Sequence, residues 1–170
     1  YPHPYSAEIK ALKYRDWQLK VDNEDCGKYG TSGTLNNPEI ASAKGVWIDK
    51  EDDLIQLVKR INDDDCREIA IDLEAHSFRR FNGFLCLMQL SLRRPAVNES
   101  EKATSSDGGD SIDTAYDFVI DTLALRNVMN EHLAPIMANP DIVKVMHGAD
   151  SDIGWFQRDF GIYVVNLFDT

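Results

Sequence analysis

Two acidic residues stand two positions apart in IAIDLEA, a segment at residues 69–75 that otherwise has the composition of a buried β-strand. Side chains at positions i and i+2 of a strand point to the same face of the sheet, so Asp72 and Glu74 lie side by side, about 7 Å apart. Like charges at that distance repel each other unless a cation lies between them. The pair therefore fits an oxygen-ligated Mg²⁺ or Mn²⁺ ion, although a strand with one wet polar face gives the same pattern.

The composition limits the class of protein. The chain has 170 residues, of which 43% are hydrophobic and 28% charged, enough for one globular domain with a core and some additional chain. Its net charge of −11 argues against a protein that coats nucleic acid, but not against a metal-dependent nuclease, whose centre needs clustered acids. The three cysteines lack CxxC spacing and are typical of reduced thiols in an intracellular protein. No apolar run has the length of a membrane span or the character of a signal core.

The first half of the domain has clear patterns of secondary structure. They predict a strand at 46–48, a helix at 51–62, and strands at 69–74 and 84–91. Asn82-Gly83 is a turn signal. The two strands that flank it are therefore expected to form an antiparallel hairpin, with the HSFRR segment near its tip.

Two segments lack a regular apolar pattern. Residues 1–44 contain prolines and glycines that favour extended chain and turns, and their apolar side chains would either pack as a strap or belong to a flexible leader. Residues 93–116 are rich in Ser, Asp, Gly, Thr and Glu, and such a segment cannot offset its ordering entropy by burial. We therefore expect an extended lead-in at 1–44 and a domain at 45–170 that carries a mobile loop at 93–116.

The second half alternates between strands and helices. The patterns predict a strand at 117–121, one or two helices within 122–138 that break near Pro135, a strand at 142–146, a helix that ends at Gly161, and a last strand that starts at 163–165. Three successive strands followed by this alternation predict an α/β domain with a mixed sheet.

A second acidic group, HGADSD, follows the strand predicted at 142–146. Ligand-binding groups favour the carboxyl ends of strands in α/β sheets, so Asp152 is a candidate third carboxylate beside the acids of the first strand. The alternative is an ordinary helix start. In that case Asp150 or Ser151 caps backbone N–H groups, and Asp152 faces the positive end of the helix dipole.

Three segments together resemble one known family: IAIDLEAHSFRRFNGFLCLMQLS, DFVIDTLALR and NPDIVKVMHGADSDIGWFQRDFGIYVVNLFDT. They are similar to the nuclear-exosome-associated 3′–5′ exoribonucleases of the DEDD superfamily, to which RNase D belongs, over about residues 45–170. The HPYSAEI segment near the N-terminus resembles the lead-in of the same family. The resemblance implies an RNase H-like α/β fold, the DEDD exonuclease fold. It also implies a domain that is incomplete at the C-terminus, because the third acidic motif and a helical HRDC domain do not follow.

The resemblance implies catalytic and metal-binding roles for Asp72, Glu74 and Asp152, which match three of the four acids of the family. The fourth Asp, and a Tyr that orients the attacking water, have no counterpart in the sequence, so the chain alone is expected to bind metal weakly and to cut poorly. The implied mechanism is hydrolysis at the 3′ end with two Mg²⁺ or Mn²⁺ ions. Ala75 departs from the family, which often has a second His at that position.

Three further residues are expected to contact the substrate. His76 and Arg79 follow the acids and could position phosphates, with a solvated turn as the alternative. Trp155 lies one turn after Asp152 on the same side of the helix. It could stack on a nucleobase, although core packing is the better expectation from the residues alone.

The resemblance also implies partners and a compartment. These are the 3′ end of single-stranded RNA, the nuclear exosome core with its cofactors, and the nucleus including the nucleolus, with no membrane. Two alternatives remain open. One is a DEDD exonuclease that acts on DNA, since the same acids and ions would serve it, and the other is a non-catalytic RNA-binding or scaffold fragment.

Overall fold

The computed structural model describes residues 3–14, 19, 45–63, 66–78, 82–92, 111–113 and 115–170. The helices of these ranges are α1 (Ser6–Ala11), α2 (Glu51–Asp63), α3 (Met129–Ala138) and α4 (Asp150–Phe160). The strands are β1 (Val46–Ile48), β2 (Glu68–His76), β3 (Phe84–Leu92), β4 (Asp117–Asp121), β5 (Val143–Met146) and β6 (Leu167–Asp169). Most of the loop predicted at 93–116, and most of the lead-in, lie outside the described residues.

The six strands form one mixed sheet in the order β1-β4-β3-β2-β5-β6. Strand β3 runs antiparallel to its neighbours β2 and β4, and the other pairs are parallel. The antiparallel β2–β3 pair is the predicted hairpin, and the mixed α/β sheet is confirmed. None of the helices in the described ranges has the length and the apolar character needed to cross a membrane.

The core forms because one face of the sheet is apolar. Along β2, Ile69, Ile71 and Leu73 are buried, whereas Ala70, Asp72 and Glu74 between them are exposed. Helix α2 packs its apolar stripe into the same core. The fully buried side chains of this core include Ile48, Leu54, Leu57, Ile69, Leu85, Met88, Leu90, Ile120, Met129, Leu133 and Phe156.

The register of β2 places its two acids beyond the carboxyl end of the neighbouring strand β5. Strand β2 pairs with β5 only through Glu68–Ala70, whose last member lies opposite Val145. Because the two strands are parallel, the rest of β2 extends past the carboxyl end of β5. Residues Asp72 and Glu74 lie in this extension, beside the point where the chain leaves β5 to begin α4.

Two of the expected elements between β4 and β5 differ in the structure. Residues 122–128 form turns, because the Asp121 side chain accepts hydrogen bonds from the N–H groups of Leu123 and Ala124 at 3.0 and 2.9 Å. The expected break at Pro135 is wrong, since Pro135 lies inside α3. Pro135 is exposed, and it lacks the N–H that would donate to the carbonyl four residues earlier in the helix.

The predicted start of the last strand at 163–165 is also wrong, since β6 begins at Leu167. That segment is irregular, and it is held by hydrogen bonds from the N–H of Ile162 to Phe156 O and from the N–H of Val165 to Met137 O, at 3.2 and 2.9 Å. The chain then turns at Asn166, with φ of 61°, and β6 begins at the next residue, Leu167, which pairs with Lys144 of β5. The predicted end of α4 is confirmed, since Gly161 is a left-handed C-cap with φ of 64°.

Candidate active site

The two acids of β2 occupy the exposed face of the sheet. In the β2–β3 pairing, Asp72 lies opposite Gln89 and Glu74 lies opposite Leu87. A bulge follows between Glu74 and Ala75. Bulges bend a strand and redirect its side chains, so the end of the hairpin takes a different direction from the ladder that holds the acids.

The third predicted acid lies at the start of α4. Strand β5 ends at Met146, Gly148 turns the chain with φ of 60°, and Asp152 falls in the first turn of the helix. Its residue surface is only 7% exposed. Burial raises the pKa of the Asp152 carboxyl, and the negative charges of Asp72, Asp169 and Glu74 raise it further. The structure therefore brings the three predicted acids within electrostatic reach of one another.

A fourth carboxylate, which the sequence did not reveal, binds the backbone between β5 and α4. Asp169 lies on β6 opposite Met146 of β5. Its Oδ1 accepts a hydrogen bond from the Gly148 N–H at 2.6 Å, and its Oδ2 accepts one from the Ala149 N–H at 3.2 Å. A parallel strand at 167–169 places its last residue at the carboxyl edge of the sheet. Because the last strand was expected to start at 163–165, its end at this edge was not recognised.

The expected capping of α4 by Asp150 or Ser151 is wrong. Ala149 is the N-cap residue of α4, and no side chain caps the helix from that position, whereas Asp150 or Ser151 was expected to do so. Both of these residues already lie inside the helix. The carboxylate of Asp169 instead binds the backbone N–H groups that precede the helix, so the local cap is supplied by a distant strand.

The donor chemistry of the site suits a hard divalent cation. Carboxylate oxygens are the ligands that Mg²⁺ and Mn²⁺ prefer. A bound cation would offset the repulsion between Asp152 and the neighbouring negative charges. Within the described ranges, no group of three or more His, Cys, Asp or Glu side chains is placed closely enough to hold a metal ion. Side-chain rotation would therefore have to accompany binding.

The predicted substrate-binding residues have different surroundings. The exposed His76 ring lies 5.4 Å from the ring of Phe84, its cross-strand partner in β3. Trp155 is half-buried and packs against the core, as the residues alone favoured. Arg79 lies outside the described residues.

The mixed sheet, the acidic pair and the acidic helix start agree with a comparison to known families. A family model described as 3′–5′ exonuclease matches residues 45–170. The chain therefore belongs to the 3′–5′ exonuclease family. Members of this family generally use divalent metal ions.

The curated relatives point to a more particular group. The chain is 44% identical over 173 residues to the Exosome complex component 10 of Homo sapiens, covering 100% of this chain and 15% of the relative. It is 35% identical over 173 residues to the Exosome complex exonuclease RRP6 of Saccharomyces cerevisiae, covering 100% of this chain and 19% of the relative. The chain thus spans less than a fifth of the length of these relatives.

Solved structures have the same fold. The catalytic core of RRP6 from Trypanosoma brucei matches with a TM-score of 0.71 at 35% identity, over 99% of this chain and 38% of that one. The RNase D of Trypanosoma brucei in complex with RNA U12 matches with a TM-score of 0.58 at 18% identity, over 81% of this chain and 41% of that one. At 18% identity the second likeness concerns the fold alone. These neighbours confirm the expected fold of the DEDD exonucleases.

Proposed function

We propose that the protein is a 3′–5′ exoribonuclease that removes nucleotides from the 3′ end of single-stranded RNA. The observation that carries this proposal is that Asp152, at the start of α4, lies within electrostatic reach of Asp72 and Glu74 on β2. The family match and the RRP6 relatives support it.

The three acids, together with the fourth Asp that the family resemblance implies, would hold two Mg²⁺ or Mn²⁺ ions, which would activate a water and stabilise the charge that develops on the cleaved phosphodiester. The chain's own contribution is to hold the carboxylates in position. Asp72 and Glu74 are fixed by their ladder to β3, whereas Asp152 is fixed by the start of α4. Their negative charge repels the RNA phosphates until cations are bound, so binding of ions and substrate should be interdependent.

The remaining predicted residues would hold the substrate. His76 is exposed and lies two positions after Glu74 on β2, so its ring would contact a phosphate bound near the acids. Arg79 would add a positive charge. Trp155 would present the uncovered part of its ring to a nucleobase while the rest of the ring packs on the core.

We infer an association with the exosome from the names of the relatives, and with it a nuclear, including nucleolar, location. The part of the assembly that the chain contacts would include the exosome core and its cofactors.

The test is digestion of two single-stranded oligonucleotides of matched sequence, one RNA and one DNA, each labelled at the 5′ end. With Mg²⁺, the full-length protein should shorten the RNA stepwise from the 3′ end and release nucleoside 5′-monophosphates. Faster digestion of the DNA would favour the alternative of a DNA exonuclease, because RNA selectivity needs a contact to the 2′-hydroxyl. Binding of RNA without digestion would favour the non-catalytic alternative.

A further inference from the structure

The C-terminal half of α4 is hydrogen-bonded to the β2–β3 hairpin through two adjacent side chains. Asp159 Oδ2 accepts a hydrogen bond from the Leu85 N–H at 2.7 Å. Arg158 donates from Nε to Asp159 Oδ1 at 2.7 Å and from Nη2 to Asp159 Oδ2 at 2.9 Å. It also donates from Nη1 to the Asn82 carbonyl oxygen. We call this group the hairpin clasp: Arg158 and Asp159 on the helix, Asn82 and Leu85 on the hairpin.

The clasp is partly buried. The Asp159 side chain is only 6% exposed, whereas the Arg158 side chain is 32% exposed. The hydrogen bond from Arg158 holds the pKa of the Asp159 carboxyl below its usual range, and the Leu85 N–H contributes in the same direction, against the effect of burial. A paired Arg–carboxylate with two parallel bonds fixes both distance and orientation.

The clasp joins the two elements that carry the candidate site. Asp159 follows Asp152 by seven residues, which is about two helical turns along the same side of α4. On the hairpin, Gly83 lies between the clasped residues with φ of 62°, and a Cβ there would approach His76 O to 2.8 Å. The clasp therefore fixes the segment against which His76 is packed.

From this geometry we propose that Asp159, supported by Arg158, is a positioning residue that sets the hairpin end relative to the acidic start of α4. The proposal rests on the proposed exonuclease function and deepens it. Asp72 and Glu74 precede the bulge and are held by their own ladder to β3, whereas His76 follows it. Loss of the clasp should thus displace the substrate-binding side and leave the acids in place.

The experiment compares the full-length parent protein with Asp159→Ala and Arg158→Lys, using single-stranded RNA. Asp159→Ala should raise KM about tenfold while kcat changes less than threefold, roughly the scale expected for a small misplacement of binding groups. Arg158→Lys keeps the charge but loses the paired bonds, so its KM should lie between that of the parent and that of Asp159→Ala. Hydrogen exchange at the Leu85 amide should accelerate in Asp159→Ala, while exchange in α2 stays as in the parent.

Two control variants separate positioning from general loss of stability. Glu131→Gln removes one exposed negative charge from α3 without touching the hairpin, and it should leave KM unchanged. Ile61→Val lowers stability through the core at a residue that is 1% exposed. If Ile61→Val raised KM as much as Asp159→Ala, or if Asp159→Ala lowered kcat alone, positioning would be refuted. Unchanged exchange at Leu85 would refute the clasp whether or not RNA is digested, whereas an inactive parent protein would refute the proposed function only.

Discussion

The Asp169 carboxylate accepts a hydrogen bond from the Gly148 N–H at 2.6 Å and so ties the outer strand β6 to the junction between β5 and α4. Gly148 has φ of 60°, a conformation that L side chains rarely adopt. The first turn of α4, with Asp152, follows directly. The position of an acid on the helix thus depends on an acid in the last described strand.

Asp169→Ala should lower the free energy of unfolding by about 1 kcal/mol, because the N–H groups of Gly148 and Ala149 lose their acceptor. Urea unfolding of the two proteins measures the difference. The matched control is Asp150→Ala, which removes an exposed acid from the first turn of α4 and should cost only a few tenths of a kcal/mol through the helix dipole. Equal losses in both variants would show that the strand contact contributes no more than an exposed charge at the helix start.

Lys144 is a buried cation that holds the end of α3 against β5. Its side chain is fully buried. Nζ donates to the carbonyl oxygens of Asn139 and Ile142, each at 2.7 Å, and to that of Ile136 at 3.4 Å. These bonds favour the charged ammonium group, whereas burial disfavours it and lowers the Lys144 pKa to about 7.

This pKa predicts a pH dependence of stability with a definite sign. Between about 7 and the ordinary lysine pKa of 10.5, the unfolded chain keeps the Lys144 proton while the folded protein releases it. The unfolded state binds more protons in that window, so the contribution of Lys144 to stability rises with pH, by up to about 1.4 kcal/mol per pH unit. Below pH 7 both states carry the proton, and the contribution is constant.

Urea unfolding of the parent and of Lys144→Met at about pH 7 and about pH 9 isolates this contribution, because the other titrating groups are common to both proteins. The parent should gain stability relative to the variant as pH rises. Parallel curves would mean that the three carbonyl oxygens hold the ammonium charged throughout, against the effect of burial.

The same substitution to Ala should change the free energy of unfolding in opposite directions at two glycines, one on the hairpin and one on α4. Gly83→Ala should lower the free energy of unfolding by about 1–2 kcal/mol, because φ is positive and the new Cβ meets His76 O at 2.8 Å. Gly154→Ala should raise it by about 1 kcal/mol, because that position is helical, exposed and open around the new Cβ. Thermal unfolding measures both, and shifts of the same sign would contradict the described backbone.

The sequence predicted the elements whose apolar pattern is strong. Alternation along β2 placed Asp72 and Glu74 on one face, and the Asn82-Gly83 turn identified the hairpin. The errors fall where tertiary contacts override local preference. Val164 and Val165 have strand propensity, yet they belong to a segment that hydrogen-bonds to the ends of two helices.

The candidate site was only partly visible for the same reason. Spacing indicated the acidic pair, whereas the proximity of Asp152 depends on the parallel pairing of β2 with β5. The role of Asp169 depends on the pairing of β5 with β6, and that of Asp159 on packing of α4 against the hairpin. Such partners are distant in sequence, and one sequence without relatives contains no signal for them.

Digestion of a 5′-labelled single-stranded RNA by the full-length protein and by Asp72→Asn, with Mg²⁺, tests the central claim most directly. The parent should shorten the RNA from its 3′ end. The variant should be slower by about 100-fold or more, because it loses a charged ligand for the cations, while its thermal unfolding stays close to that of the parent. Stepwise digestion by Asp72→Asn at the parent's rate would contradict the assignment of the acidic pair as the catalytic centre.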